Sequence, residues 1–117
     1  MNYSNQQNQT IVLKSGKQIR QFYVDQILYV STSAYVSSIH LANTNKTESF
    51  SILLKNLEEL LEPYGFVRIN RNELINMKYF KKLQEKQKRV VVLQNDQELM
   101  ISHRKMSSIR QFLRSYI

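Results

Sequence analysis

Two arginines and two asparagines stand close together at Arg68, Asn70, Arg71 and Asn72. Apolar residues within Phe66–Ile75 can anchor this stretch in a core, which would leave the four polar side chains to project. In the major groove of DNA, the guanidinium group of arginine makes two hydrogen bonds with the edge of guanine, and the amide group of asparagine makes two with the edge of adenine. The same side chains would serve equally well to hydrate a loop and cap its backbone.

The residue types that catalysis and metal binding require are sparse. The chain has two histidines, two aspartates and no cysteine, and their local spacing joins no nucleophile to a base and forms no ligand cluster. The only glycines, Gly16 and Gly65, cannot form a phosphate-binding loop. His40 is expected to be a surface or half-buried strand residue. We therefore expect no enzyme activity, no cofactor and no metal.

Positive charge is concentrated in the second half of the chain. Residues 1–65 hold five basic and five acidic side chains, whereas residues 66–117 hold twelve basic and four acidic ones, which accounts for the net charge of +8. A chain whose positive charge is concentrated in one half presents a positive electrostatic field that attracts polyanions. Nucleic acid is the leading partner on charge, with an acidic protein or an anionic membrane surface as alternatives. Apolar runs no longer than Val90–Leu93 predict a cytoplasmic domain without a membrane span.

Alternating apolar and polar residues predict short β-strands over most of the chain. Asn95–Gln97 has the composition of a hairpin loop. The predicted strands cover residues 11–13, 19–24, 27–30, 35–42, 47–52, 66–69, 74–75, 79–83, 89–94 and 98–101.

Helical spacing replaces this alternation in two places and predicts short α-helices at about residues 53–62 and 104–116. In the first helix Ser51 is a possible N-cap, and Pro63 and Gly65 end it. Its leucines are expected to pack in the core, at Leu53, Leu54, Leu57, Leu60 and Leu61. The second helix has its own apolar stripe, at Met106, Ile109, Phe112, Leu113, Tyr116 and Ile117.

Residues 1–9 are polar and without periodicity, so we expect a disordered or flexible lead-in before a single domain over residues 10–117. The fold class expected from these elements is mainly β, built from antiparallel strands with two short α-helices.

The stretch Phe66–Asn76 resembles the F-x-R-x-H-R-S-x-x-V-N signature of LytTR DNA-binding domains, the output modules of many bacterial two-component response regulators. Asn70 stands in place of the usual histidine and Asn72 in place of the usual serine. Four further segments resemble the family's D-I-x-Y, Y-V-x-I-H-L, L-x-x-L-E and V-S-R-R patterns in the same order, so the resemblance covers about residues 10 to 115. They are Asp25–Val30, Tyr35–Leu41, Leu54–Leu60 and Ile101–Arg104.

This resemblance implies an elongated antiparallel β-sheet domain that reads successive major grooves of double-stranded DNA through loops. Carried over by motif, the base-contact candidates are Tyr35, Asn70, Arg71 and Arg104. Tyr35 could instead pack in the sheet, and Asn76 is expected to buttress its loop through backbone groups.

Other polar residues are candidates for phosphate contacts, which position a protein without reading sequence. Lys86, Lys88 and Arg89 belong to the same basic stretch as three of these candidates and could also follow phosphates, although Lys86 and Lys88 could equally belong to a solvated turn. The candidates are Lys46, Arg68, Asn72, Lys78, Lys81, Lys82, His103 and Lys105.

The resemblance further implies a transcriptional regulator whose promoter sites are paired repeats, bound by two copies of the protein. The chain could be a stand-alone regulator or a fragment of a longer response regulator. Two other interpretations remain open. One is a protein-interaction module that engages an acidic partner, and the other is a single-stranded RNA binder that stacks bases on tyrosines.

Overall fold

Ten β-strands and two α-helices follow the apolar periodicities of the sequence in the computed structural model, which describes residues 9–115. Each strand begins within one residue of its expected position and ends within three residues of it. The strands are β1 Thr10–Ser15, β2 Gln18–Tyr23, β3 Ile27–Ser33, β4 Val36–Leu41, β5 Thr47–Phe50, β6 Phe66–Asn70, β7 Glu73–Asn76, β8 Phe80–Gln84, β9 Val90–Leu93 and β10 Glu98–Met100. The helices are α1 Leu54–Leu61 and α2 Met106–Arg114.

The strands form three sheets in which all pairs are antiparallel. The central sheet has five strands in the order β5-β4-β3-β7-β6, and β1 and β2 form a separate hairpin. The third sheet has the order β10-β9-β8, and its β9–β10 turn is the expected Asn95–Gln97 loop, with Asp96 at φ 69°. The mainly β antiparallel fold class is thus confirmed, and the longest dimension of the domain is 45 Å against a shortest of 25 Å.

The central sheet is apolar on both faces, so it separates two cores. Alternate residues of a strand point to opposite faces. Val30 and Leu74 accordingly join the core that α1 and the β1–β2 hairpin cover, whereas Tyr29 and Ile75 join the core that the third sheet and α2 cover. Both cores contain side chains that are fully buried, which fixes the positions of the strand ends and the turns that follow them.

Helix α1 departs from its sequence prediction at its start and in its apolar stripe. The residue before the helix is Leu53, which has no side-chain capping bond, so the prediction of Ser51 as N-cap was wrong. Leu54, Leu57 and Leu61 are buried, but Leu53 and Leu60 remain 50% and 40% exposed. Three leucines at helical spacing therefore suffice to attach α1 to the core. Pro63 and Gly65 do end the helix, with Gly65 at φ 87°.

Helix α2 begins later than predicted, because a short 3-10 turn at His103–Lys105 precedes it. Its Met106 and Ile109 are buried and its Phe112 and Leu113 partly buried. The expected contributions of Tyr116 and Ile117 lie outside the described residues, as does the lead-in at residues 1–8. Gln9 is described, and its carbonyl accepts a hydrogen bond from the Val24 amide at 3.0 Å. Over residues 9–115, no helix is both long and apolar enough to cross a membrane.

Candidate nucleic-acid interface

The predicted base-contact residues lie on or beside three turns, which are the β3–β4 turn with Tyr35, the β6–β7 turn with Arg71, and the 3-10 turn with Arg104. A groove adjoins the segments that carry these turns, and of the predicted base-contact residues Asn70 and Arg71 line it whereas Tyr35 and Arg104 do not. Backbone hydrogen bonds hold the turns together, because the Thr32 amide donates to the Asn72 carbonyl at 2.8 Å and the Ser102 amide donates to the Ile69 carbonyl at 2.9 Å. The groove between them has a volume of about 640 Å³. It is lined by Ser31, Thr32, Asn70, Arg71, Asn72, Glu73, Arg89, Met100, Ile101 and Ser102.

Tyr35 projects from the two-residue turn between β3 and β4. Its side chain is 77% exposed, so it does not pack in the sheet. The preceding Ala34 has φ 56°, a left-handed conformation that L-residues adopt at a cost. The Thr32 hydroxyl donates to the Val36 carbonyl at 3.0 Å across the turn. The turn is therefore fixed by its own backbone and hydroxyl bonds, while the phenol ring makes no contribution to the core.

Asn70 does not project, contrary to the sequence prediction. Its Nδ2 donates to Glu73 Oε1 at 2.8 Å and to the Met100 carbonyl at 2.6 Å, while its Oδ1 accepts from the Asn72 amide at 2.8 Å. A carboxamide has two N–H donors, and both are engaged here. Both the nitrogen and the oxygen of the Asn70 side-chain amide are thus hydrogen-bonded within the protein.

Arg68 is also directed inward, where projection was expected. Its guanidinium donates to the Asn70 carbonyl at 3.2 Å, to the Arg71 carbonyl at 2.6 Å and to Glu58 Oε1 of α1 at 3.1 Å. These three bonds join the β6–β7 turn to α1 and use three of the five N–H donors of the guanidinium. The side chain of Arg68 is 20% exposed, so the geometry gives it a role in holding the turn.

Arg71 and Arg104 present their charges to solvent. Both are exposed, as are Asn72 and His103, whereas Lys105 is half-buried. Within residues 9–115, no carboxylate lies within ion-pair distance of Arg71, Arg104 or Lys105. Because an unpaired cation gives up no internal partner when it binds an anion, these side chains are well suited to contact nucleic acid.

Two of the other lysine candidates have carboxylate partners. Lys78 pairs with Asp25, and Lys81 pairs with Asp96, whose pKa is lowered by the hydrogen bond from that lysine. Lys82 is exposed without such a partner in the described region. These three lysines do not line the groove.

Lys46 borders a second, smaller groove of about 230 Å³ beside the β4–β5 turn. His40 forms part of its wall, with its ring stacked on Tyr29 at 4.0 Å between centroids. The two ring nitrogens lie 2.8 Å from Ser31 Oγ and 3.3 Å from Thr47 Oγ1. Burial lowers the pKa of His40 below its usual value of 6.5. His40 is a half-buried strand residue, as expected.

Met100 lines the first groove although it was not a base- or phosphate-contact candidate, and Arg89, one of the basic residues that could follow phosphates, lines it as well. Met100 is 54% exposed on β10. Leu99 and Ile101, on either side of Met100, are buried. Because alternate residues of a strand face opposite sides, this spacing could have predicted that Met100 is exposed. Arg89 donates from Nε to the Ile101 carbonyl at 3.3 Å. Asn76 is buried as a buttress, and its Nδ2 donates to the Ile27 carbonyl at 2.9 Å.

Known proteins share both the sequence pattern and the fold. The family model of the LytTr DNA-binding domain matches residues 5–114 of this chain. A solved LytTr DNA-binding domain from Bacillus cereus superposes with a TM-score of 0.73 at 17% sequence identity, covering 89% of this chain and 95% of the other. At this identity the superposition establishes the fold alone. No curated protein matches the chain in sequence.

Proposed function

Because this chain belongs to the LytTr DNA-binding domain family, we propose that it binds specific sequences of double-stranded DNA and regulates transcription by occupying them. The observation that carries this proposal is that backbone hydrogen bonds join the segments around the three turns, while Arg71 and Arg104 are exposed there without a carboxylate partner among residues 9–115. A DNA-binding module of this kind needs no catalytic group.

Tyr35, Arg71 and Arg104 are proposed as the side chains that contact bases. Each side chain is exposed on a turn whose backbone is hydrogen-bonded to neighbouring segments, so the position of its Cα atom is fixed. Arginine makes a bidentate contact with guanine O6 and N7, whereas an aromatic ring can lie against a thymine methyl group. Asn70 could add a base contact only by exchanging one of its present bonds.

The phosphate contacts are assigned by position and by free hydrogen-bond donors. Lys105, His103 and Asn72 lie on or beside the turns that carry Arg71 and Arg104, whereas Lys82 and Lys46 have no carboxylate partner among residues 9–115 and lie outside the first groove. Lys78 and Lys81 would have to leave their carboxylate partners, and Arg68 would have to leave three bonds. We therefore assign weaker phosphate contacts to Lys78 and Lys81 and a positioning role to Arg68.

We propose contacts along one side of a duplex, in successive major grooves, as the resemblance to LytTR domains implies. Two copies of the protein on paired promoter repeats would double the number of base contacts and raise avidity. The regulator would act by occupancy, in the cytoplasm, at the output end of a two-component system.

The proposal is tested by selecting tight binders from a promoter-derived duplex pool and titrating them by fluorescence anisotropy. We expect a recurring motif to be enriched, and the Arg104→Ala and Arg71→Ala variants to lose about 1–3 kcal/mol of binding free energy on it. Each variant should also lose discrimination at its own base position.

Arg114→Ala is the matched control, because Arg114 is exposed at the end of α2 away from Arg104. It should bind the selected duplex as the unmodified protein does. Binding that is equal on all duplexes and disappears at moderate salt would contradict the proposal and favour an acidic protein partner. Tighter binding to single-stranded RNA than to duplex would favour an RNA-binding module.

A further inference from the structure

The side chain of Asn70 connects the β6–β7 turn to a distant segment of the chain. Its bond to the Met100 carbonyl spans 30 residues of sequence. A second bond runs alongside it, from the Ser102 amide to the Ile69 carbonyl at 2.9 Å. The end of β6 is therefore attached to the last residue of β10 by one side-chain bond and to Ser102, just after β10, by one backbone bond.

This attachment lies between the two proposed reading arginines. Arg71 directly follows Asn70, and Arg104 follows Ser102 by two residues, in the 3-10 turn that the Lys105 amide closes by donating to the Ser102 carbonyl at 3.0 Å. The two arginines come from turns far apart in sequence. Their separation in space depends on the bonds that join Asn70 to Met100 and Ile69 to Ser102.

The hydrogen-bond inventory of Asn70 argues against a role as a base reader. An asparagine that recognises adenine must donate from Nδ2 to N7 and accept at Oδ1 from N6. Both Nδ2 hydrogens are already donated, to Glu73 and to Met100, and Oδ1 accepts from the Asn72 amide. A bidentate contact would break the attachment that holds the turn.

We propose that Asn70 is a positioning residue that fixes the separation of Arg71 and Arg104, and thereby the spacing between the bases that they contact. This inference rests on the DNA-binding function proposed above. A rigid separation makes the protein strict about the number of base pairs between the two contacts, because one additional base pair moves one contact out of reach of its arginine.

The experiment uses the selected duplex and a second duplex with one base pair inserted between the positions that Arg71→Ala and Arg104→Ala identify. The ratio of the two dissociation constants is the spacing penalty. For the unmodified protein we expect a penalty of about 10- to 100-fold, which corresponds to the loss of one good base contact.

Asn70→Ser removes the bond to Met100 while its shorter hydroxyl can still accept the Asn72 amide. The spacing penalty of this variant should fall to about threefold. Asn70→Asp is the second variant, because it keeps the acceptor and loses both donors. Its added charge weakens binding to both duplexes and cancels in the ratio. Asn95→Ser is the matched control, since Asn95 closes the β9–β10 turn by a similar bond to the Gln97 amide at 3.0 Å.

Two results would overturn the positioning role. An unchanged spacing penalty together with lost discrimination at a single base pair would show that Asn70 reads a base. An unchanged penalty with an equal loss on all duplexes would show that Asn70 only stabilises its turn. If the unmodified protein shows no sequence preference, the proposed function itself fails, and this appears before any Asn70 variant is made.

Discussion

Arg68 and Arg71 lie three residues apart on the same hairpin and have different surroundings. The guanidinium of Arg68 joins two backbone carbonyls and Glu58, whereas Arg71 is exposed without a carboxylate partner among residues 9–115. One arginine therefore shapes the turn that presents the other. Residue type alone does not separate these roles, because both follow from bonds to residues elsewhere in the chain.

His40 gives a residue-scale prediction about stability and pH. Burial lowers its pKa in the folded protein below 6.5, whereas the unfolded chain takes up this proton near pH 6.5. Acidification therefore favours the unfolded state. The stabilisation from neutral His40 is fully present above about pH 6.5 and is lost as the pH falls toward the lowered pKa. Urea unfolding at a series of pH values measures this dependence.

The His40→Gln variant should show a smaller loss of unfolding free energy on acidification than the unmodified protein. His103→Gln is the control, since His103 is exposed in the 3-10 turn before α2, and it should retain the full dependence. If the free energy of unfolding depends on pH identically in the unmodified protein and in His40→Gln, His40 is not the source of that dependence.

At the scale of elements, helix α1 shows how few contacts fix its position. Leu57 is 1% exposed and Leu60 is 40% exposed on the same helix. Leu57→Ala leaves a cavity in the core and should lower the free energy of unfolding by about 2–5 kcal/mol. Leu60→Ala should lower it by less than about 1 kcal/mol, because its side chain is already largely in water. Urea denaturation of both variants checks the difference, and equal losses would mean that α1 packs differently.

The positions of most elements could be predicted from the sequence, because apolar alternation and helical spacing are local properties. The start of α1 could not, since Ser51 and Leu53 are both compatible with the pattern. The stripe of five leucines is wider than the buried face, so the exposure of Leu53 and Leu60 depends on where the sheet lies. Strand ends and helix limits were predicted to within three residues.

The candidate site was predicted less completely. The exposed turn residues Tyr35, Arg71 and Arg104 carry local signals, either as turn residues or as parts of a motif. The inward direction of Asn70 depends on the Met100 carbonyl, 30 residues away, and nothing in the local sequence specifies that partner. The interior role of Arg68 depends in the same way on Glu58 of α1.

For the whole molecule, the distribution of charge predicts the dependence of binding on salt. If five to seven phosphates are neutralised, the logarithm of affinity should fall against the logarithm of salt concentration with a slope of about −4 to −6. Lys105 has no carboxylate partner within residues 9–115, whereas Lys88 Nζ lies 3.6 Å from Glu98 Oε1. Lys105→Gln should reduce the slope by about 0.9, and Lys88→Gln should leave it nearly unchanged.

Anisotropy titrations at four or more salt concentrations measure the slope for each variant. Equal reductions in Lys105→Gln and Lys88→Gln would mean that charge anywhere on the domain contributes, and that no defined set of side chains follows the phosphates.

The backbone bonds between the turns have a consequence for evolution. The bonds from Thr32 to Asn72 and from Ser102 to Ile69 use only main-chain atoms, so they do not depend on which side chains the turns carry. Substitutions at Tyr35, Arg71 and Arg104 can thus change the preferred operator while the scaffold stays intact. Gene duplicates of such a regulator can diverge to new promoters through a few exposed positions, and a library randomised at these three would explore that divergence.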